Sequence, residues 1–228
     1  MLVLAIESAT KLGGVALIDD RGILGECLFE RGMVHGREIA PAVESLCRAA
    51  GLPLCELGLV AVDVGPGSFT GLRVGLAAAK ALAFALGCPI LGIGSLDALT
   101  WAAAPHAPRG AALCALLDAR WNRVYGALYD PGPPGTCRVE PVSETPEAFL
   151  RRVPTGAFVF GDAVGPHADL LRAAGLVPAP EPLWNPRPFV IARMAAEQYA
   201  AGERSDVSSL VPVYLRQLES EVKLPASG

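Results

Sequence analysis

The chain has 228 residues, 52% hydrophobic and 18% charged, with a formal net charge of −4. That length and apolar content suffice for one large domain or two small ones, and the acidic balance excludes a broad basic field that binds nucleic acid by counterion release, leaving any RNA contact local or shared with a partner. Six cysteines without a C-x-x-C spacing, and no charged-then-apolar leader, place the chain in a reduced cytoplasmic compartment, and the longest apolar stretch, Leu76 to Leu86, carries Lys80 and falls short of the about 20 residues of a membrane span.

Leu2 to Ile6, Gly14 to Asp19 and Gly25 to Glu30 read as three antiparallel strands separated by turn signals at Gly13-Gly14 and Asp20-Arg21-Gly22. From Gly36 to Ala50, Ile39, Val43, Leu46 and Ala50 recur at helical spacing until Gly51 and Pro53 end the pattern, with Pro41 tolerable in a first turn. A strand LVAVDVG, a helix Phe69 to Leu86, a strand PILGIG and a short helix Ser95 to Ala104, which Ser95 can cap, complete an order βββαβαβα.

A Pro-rich junction, Pro105 to Gly110, precedes Ala111 to Asp118 and Arg123 to Asp130, an apolar run and an alternating one that repeat the opening of the chain. Both copies end their first strand on a carboxylate, Glu7 and Asp118. The repeat continues through a strand near Thr136 to Val142, a helix capped by Thr145, the strand AFVFG and a helix around His167 to Ala174. Two βββαβα units facing a cleft make the two-lobed α/β architecture of the actin, sugar-kinase and Hsp70 ATPase superfamily, an RNase H-like fold. We expect a first lobe over residues 1–106 and a smaller second lobe over residues 107–228, with the helical pattern of residues 187–201 packing back on the first. VPVYLRQ forms an extended tail.

The stretch VGPGSFTGLRVG, Val64 to Gly75, stands where a strand hands over to a helix, a place suited to an anion. It lacks the Gly-Lys-Ser/Thr of a Walker loop and the spacing of the dinucleotide fingerprint. Gly71, Gly75 and Ala79 instead form a stripe without bulk, and because an interior glycine costs about 1 kcal/mol relative to alanine, the stripe implies close approach of another backbone, within the domain or on a partner. Glu7, Ser8 and Thr10 are candidate nucleotide contacts, since enzymes of the superfamily place an acid and hydroxyls there; alternatively Ser8 and Thr10 satisfy the turn backbone. His35, His106 and His167 form no H-x-x-x-H pair, no G-x-S-x-G elbow is present, and neither a metal site nor a catalytic residue is assigned. Asp118 faces the cleft or pairs with Arg120 or Arg123, the ion pair being the preferred reading.

Together LAIESAT, HGREIAPAVESL, GPGSFTGLRVGLAAAKALA, LLDARWNRVY and PVYLR resemble the TsaB (YeaZ) family of bacterial tRNA threonylcarbamoyladenosine biosynthesis proteins. Two departures stand out: Glu7-Ser8-Ala9-Thr10 replaces a common D-T-S-T, and Gly36 stands where serine is frequent. The resemblance implies a non-catalytic, cytoplasmic paralogue that supports a TsaD-like catalytic subunit, with a TsaE-like ATPase joining, tRNA reached through the complex, ATP used by the complex, and a homodimer when alone. It also implies a helical bundle built from the first two helices, with His35, Ile39, Val43, Leu46, Leu72, Gly75, Leu76 and Ala79 as contacts and Arg73 and Lys80 on the rim. The rival reading is an autonomous ATP-dependent kinase or peptidase of the same superfamily.

Overall fold

A computed structural model describes residues 1–29, 35–132 and 135–215. Strands β1 (Leu2–Glu7), β2 (Gly13–Asp19) and β3 (Gly22–Phe29) form an antiparallel meander. Helix α1 (His35–Ala50) leads to β4 (Leu57–Gly65), which pairs parallel with β1; α2 (Phe69–Leu86), β5 (Ile90–Gly94) and α3 (Ser95–Ala103) follow. The sheet order is β3-β2-β1-β4-β5. The second lobe repeats it: β6 (Leu113–Asp118), β7 (Val124–Tyr129), β8 (Cys137–Glu144), α4 (Pro146–Leu150), β9 (Phe158–Phe160), α5 (Ala168–Ala173) and β10 (Val177–Pro178) give the order β8-β7-β6-β9-β10. The internal duplication and the two-lobed α/β fold are therefore present as topology.

Every position of β1 is buried because helices cover both faces of its sheet. On one face Leu4, Ile6, Val60 and Val62 pack with Ile39, Val43, Leu76 and Ala79 from α1 and α2. On the other, Val3, Ala5, Leu59 and Ala61 meet Val190, Ile191, Met194 and Ala195 of α6 (Pro188–Ala200). Arg187, just before α6, pairs with Glu26 on β3, and the Phe189 amide donates to the same carboxylate at 3.2 Å. This closing helix is thus held to the first sheet by apolar contact and by an ion pair.

Three local expectations need correction. Ser95 does not cap α3; Gly94 occupies that position, and the Ser95 hydroxyl donates to Asp63 at 2.6 Å instead. Pro41 is the seventh residue of α1 and so lies in its second turn, not its first. Asp118 pairs with neither Arg120 nor Arg123: its oxygens accept from Lys11 Nζ at 3.3 Å and from the Arg120 backbone amide at 2.8 Å, while Arg123 bonds Ser143. In addition, α2 is long and apolar enough, by length and composition alone, to cross a membrane. Its Gly71, Leu72, Gly75, Leu76, Ala79 and Ala83 are buried in the lobe, so one face of it is core.

Candidate functional site

The turns that follow β1 and β4 meet at the wall of an inter-lobe cleft enclosing about 490 Å³. The first-lobe wall is Ala9 to Lys11 together with Gly67 to Gly71; the second-lobe wall is Leu117 to Trp121 with Tyr125 and Asp162. Local hydrogen bonds fix the first wall. Glu7 Oε1 accepts from the amides of Ala9 (2.8 Å) and Thr10 (2.9 Å) and from Thr10 Oγ1 (3.2 Å), so the acid closes its own turn. The Ser68 amide donates to the Ala9 carbonyl at 2.7 Å, joining the two turns, and the Ser68 hydroxyl caps α2 by accepting from the Gly71 amide.

The glycines of the β4–α2 junction serve this join. A Cβ on Gly67 would lie 2.4 Å from the Ala9 carbonyl, one on Gly71 1.9 Å from the Ser8 carbonyl, and one on Gly75 2.0 Å from Ser8 Oγ. Ser8 Oγ in turn donates to the Gly71 carbonyl at 2.8 Å. Close approach is therefore made inside the lobe, between α2 and the end of β1. The Cβ side of each of these glycines is taken by Ser8 or Ala9, while Gly67 and Gly71 also border the cleft.

Glu7 and Ser8 are fully buried, and of the three candidate nucleotide contacts only Thr10 lines the cleft. Glu7 Oε1 is taken up by the β1 turn and Ser8 Oγ by α2, so in this structure Thr10 is the one of the three at the cleft surface. Burial pushes the Glu7 carboxyl well above the usual carboxylate range, with the neighbouring Asp63 charge adding to the shift. Burial likewise raises Asp63 to about 7, against the opposing hydrogen bonds from Ser95 and Gly65.

Two acids do open onto the cleft. Lys11 Nζ, from the first lobe, lies 3.3 Å from Asp118 and 3.7 Å from Asp162, and Asp162 Oδ1 accepts the Asp118 amide at 2.7 Å. Desolvation raises the Asp162 carboxyl, and Lys11 opposes the shift. Beside them Arg120, Trp121 and Asn122 all have positive φ (60°, 53° and 56°), conformations that side-chain-bearing residues rarely adopt. They close the β6–β7 hairpin and leave Trp121 81% exposed at the cleft edge. The sequence reading missed Lys11, Asp162 and Trp121. Extending the duplication from Glu7 and Asp118 to the second acid of each lobe, Asp63 and Asp162, would have found one of them.

The residues expected to meet a partner divide sharply. Ile39, Val43, Leu72, Gly75, Leu76 and Ala79 are buried within the first lobe and Leu46 packs against its core. His35 is the first residue of α1, and its side chain lies outside the described residues. Arg73 and Lys80 hold the chain's own tail: Arg73 Nε donates to the Tyr214 hydroxyl at 3.0 Å with its guanidinium 3.9 Å above the Phe69 ring, and Lys80 Nζ reaches the Ser208 carbonyl at 3.3 Å. The Val213 amide fixes that tail to the Val64 carbonyl at 2.7 Å.

The exposed side of α2 is a different set of residues. Ala77, Ala81 and Ala85 recur every four positions and are exposed beside Phe84, which is 84% exposed. Such spacing puts them on one helix face. The exposed residues Ala40, Pro41, Glu44 and Arg48 lie on the neighbouring α1, where Glu44 and Arg48 form a surface ion pair.

A family model described as TsaD, tRNA N6-adenosine threonylcarbamoyltransferase, matches residues 32–133. A Bacillus subtilis (strain 168) protein, tRNA threonylcarbamoyladenosine biosynthesis protein TsaB, is 31% identical over 231 residues, covering 98% of this chain and 97% of its own length. The Escherichia coli (strain K12) protein of the same name is also 31% identical, covering 99% of each chain. A solved structure of YeaZ from Pseudomonas aeruginosa superposes with a TM-score of 0.77 at 24% identity, over 94% of this chain and 99% of that one, and so shares its fold. With 31% of positions identical to TsaB proteins over nearly the full length, and with the duplicated two-lobed fold in place, this chain belongs to the TsaB family of tRNA threonylcarbamoyladenosine biosynthesis proteins.

Proposed function

We propose that this chain acts in threonylcarbamoyladenosine synthesis as a non-catalytic subunit, docking a TsaD-type catalytic partner through the exposed sides of α1 and α2. One observation carries the reading: α2 carries only two charged residues, Arg73 and Lys80, yet only six of its eighteen residues are buried. The remainder includes the Ala77, Ala81 and Ala85 row and Phe84, a surface of small side chains with one protruding ring. Small residues let a second helix approach closely, and a ring at the centre of a patch is a usual energetic anchor. The buried stripe that the sequence brings forward first is the opposite face of the same helix.

The accessory role also agrees with the chemistry of the cleft. Its acids Asp118 and Asp162 are engaged by Lys11, and Glu7 is closed into its turn. In this reading tRNA, ATP and a TsaE-type ATPase are engaged by the assembly, and the same α1–α2 face pairs two copies of the chain when the partner is absent.

The test is reconstitution of tRNA modification with this chain present or omitted, alongside a Phe84→Asp variant. Phe84 makes little contact within the chain, so the variant is expected to keep the wild-type melting temperature while losing at least tenfold in partner affinity, roughly the cost of removing an interface anchor. Undiminished binding by folded Phe84→Asp would remove α2 from the interface. Modification at the full rate without the chain would remove the accessory role.

A further inference from the structure

Glu7 and Asp63 stand side by side on parallel strands: Ile6 pairs with Val62 in the β1–β4 register, so the next residues of each strand are neighbours with side chains on one face. Both are fully buried. Each uses one oxygen completely, Glu7 Oε1 for Ala9 and Thr10, and Asp63 Oδ1 for the Gly65 amide (2.7 Å) and the Ser95 hydroxyl (2.6 Å). Each leaves its other oxygen, Oε2 or Oδ2, buried with no partner. Two adjacent orphaned acceptors in a dry core repel each other and cost several kcal/mol unless something is donated between them.

We infer that Glu7 Oε2 and Asp63 Oδ2 share a single proton at neutral pH, and that this proton is a pH-sensitive clasp on the two turns that form the first-lobe wall of the cleft. Among the described residues no other donor is directed at either oxygen. The one further carboxylate bearing on Asp63 is Asp97 on α3, which accepts the Tyr129 hydroxyl at 2.8 Å and adds to the negative charge. Lys11 is directed to Asp118 and Asp162. The part of α6 covering this sheet face presents Val190, Ile191, Met194 and Ala195. Neither Glu7 nor Asp63 lines the cleft, so a hydrated cation has no room reaching them from that side. The clasp matters for the turns because Glu7 Oε1 fixes Ala9 and Thr10, Asp63 Oδ1 fixes Gly65, and the Ser68 to Ala9 hydrogen bond ties the two together.

A carboxyl raised in the folded state stabilises fully below its unfolded value, about 4, and loses that contribution as pH rises through the folded value; the shared proton belongs to the pair, and burial raises both members, so it leaves above the ordinary carboxylate range. With one proton held by the folded chain and none by the unfolded one, the unfolding equilibrium constant rises up to about tenfold per pH unit inside that window.

The experiment combines infrared spectroscopy of the full chain with denaturant unfolding across the same pH range. A protonated-carboxyl carbonyl band is expected at neutral pH, lost on raising the pH and lost in both Glu7→Gln and Asp63→Asn. In Glu7→Gln the new amide donates to Asp63, so the variant should fold and show a flattened pH slope. Absence of the band from the wild-type chain at neutral pH overturns the inference, and so does an unchanged slope in a folded amide variant. A band that emerges only after chelation overturns it in favour of a bound cation. The wild-type spectrum decides the matter even if one variant fails to fold.

Discussion

The first lobe seals its two strand-end acids, Glu7 and Asp63, in the core, whereas the second presents Asp118 and Asp162 to the cleft and neutralises them with Lys11 from across the gap. The sheets have one topology, so the difference lies in what covers them. Around the first sheet α1, α2 and α6 run 16, 18 and 13 residues; around the second α4 and α5 run five and six. Long helices exclude water, and acids enclosed this way hold protons. Short helices leave the strand ends open, and the acids there meet an ion partner from across the cleft. Duplication supplied the same side-chain chemistry twice, and helix length decided its electrostatic form.

The sharpest way to break this comparison is to pry open the sealed side. A Gly71→Ala substitution adds a methyl 1.9 Å from the Ser8 carbonyl, a backbone atom fixed in the buried end of β1. The gain of about 1 kcal/mol in helix propensity is outweighed by overpacking, and we expect a net loss of about 3 kcal/mol or more, read as a lower denaturant midpoint. The counterpart in the second lobe is Gly126 on β7, where an added Cβ would stand 2.6 Å from the Phe149 ring. That ring is a side chain, on the five-residue α4, and has more freedom to yield. Gly126→Ala should therefore cost less, about 1–3 kcal/mol, and a greater loss than that of Gly71→Ala would contradict the view that the second lobe is the looser one.

Much of this was legible in the sequence because it rests on local pattern. The α2 bounds, the Thr145 cap of α4 and the repeat itself follow from capping residues, apolar spacing and turn signals. Depth was not legible. Leu72, Gly75 and Ala79 carry the same spacing whether they face a sheet or a partner, and only the position of Ser8 shows which. The two-residue strand β10 is too short to have a period, and Lys11 finds its acids more than a hundred residues away in the chain. Ser95 illustrates the same point: a serine opening a helix is a plausible cap, but here the helix already starts at Ser95, with Gly94 in the cap position, and the hydroxyl donates to the buried Asp63.

The open side should respond more weakly to the loss of its cation. Lys11→Met removes the cation shared by Asp118 and Asp162, but the lysine side chain is 65% exposed and its pairs are screened by water and salt. The expected cost is about 1 kcal/mol or less, shrinking as salt is added, and Asp162, no longer held down by the lysine, should titrate at higher pH. Measured with denaturant at low and high ionic strength, a salt-sensitive loss of this size would mark the pair as a solvated inter-lobe contact. A loss of several kcal/mol that salt leaves unchanged would mean that these acids are sealed like Glu7 and Asp63, and that helix length is not what separates the lobes.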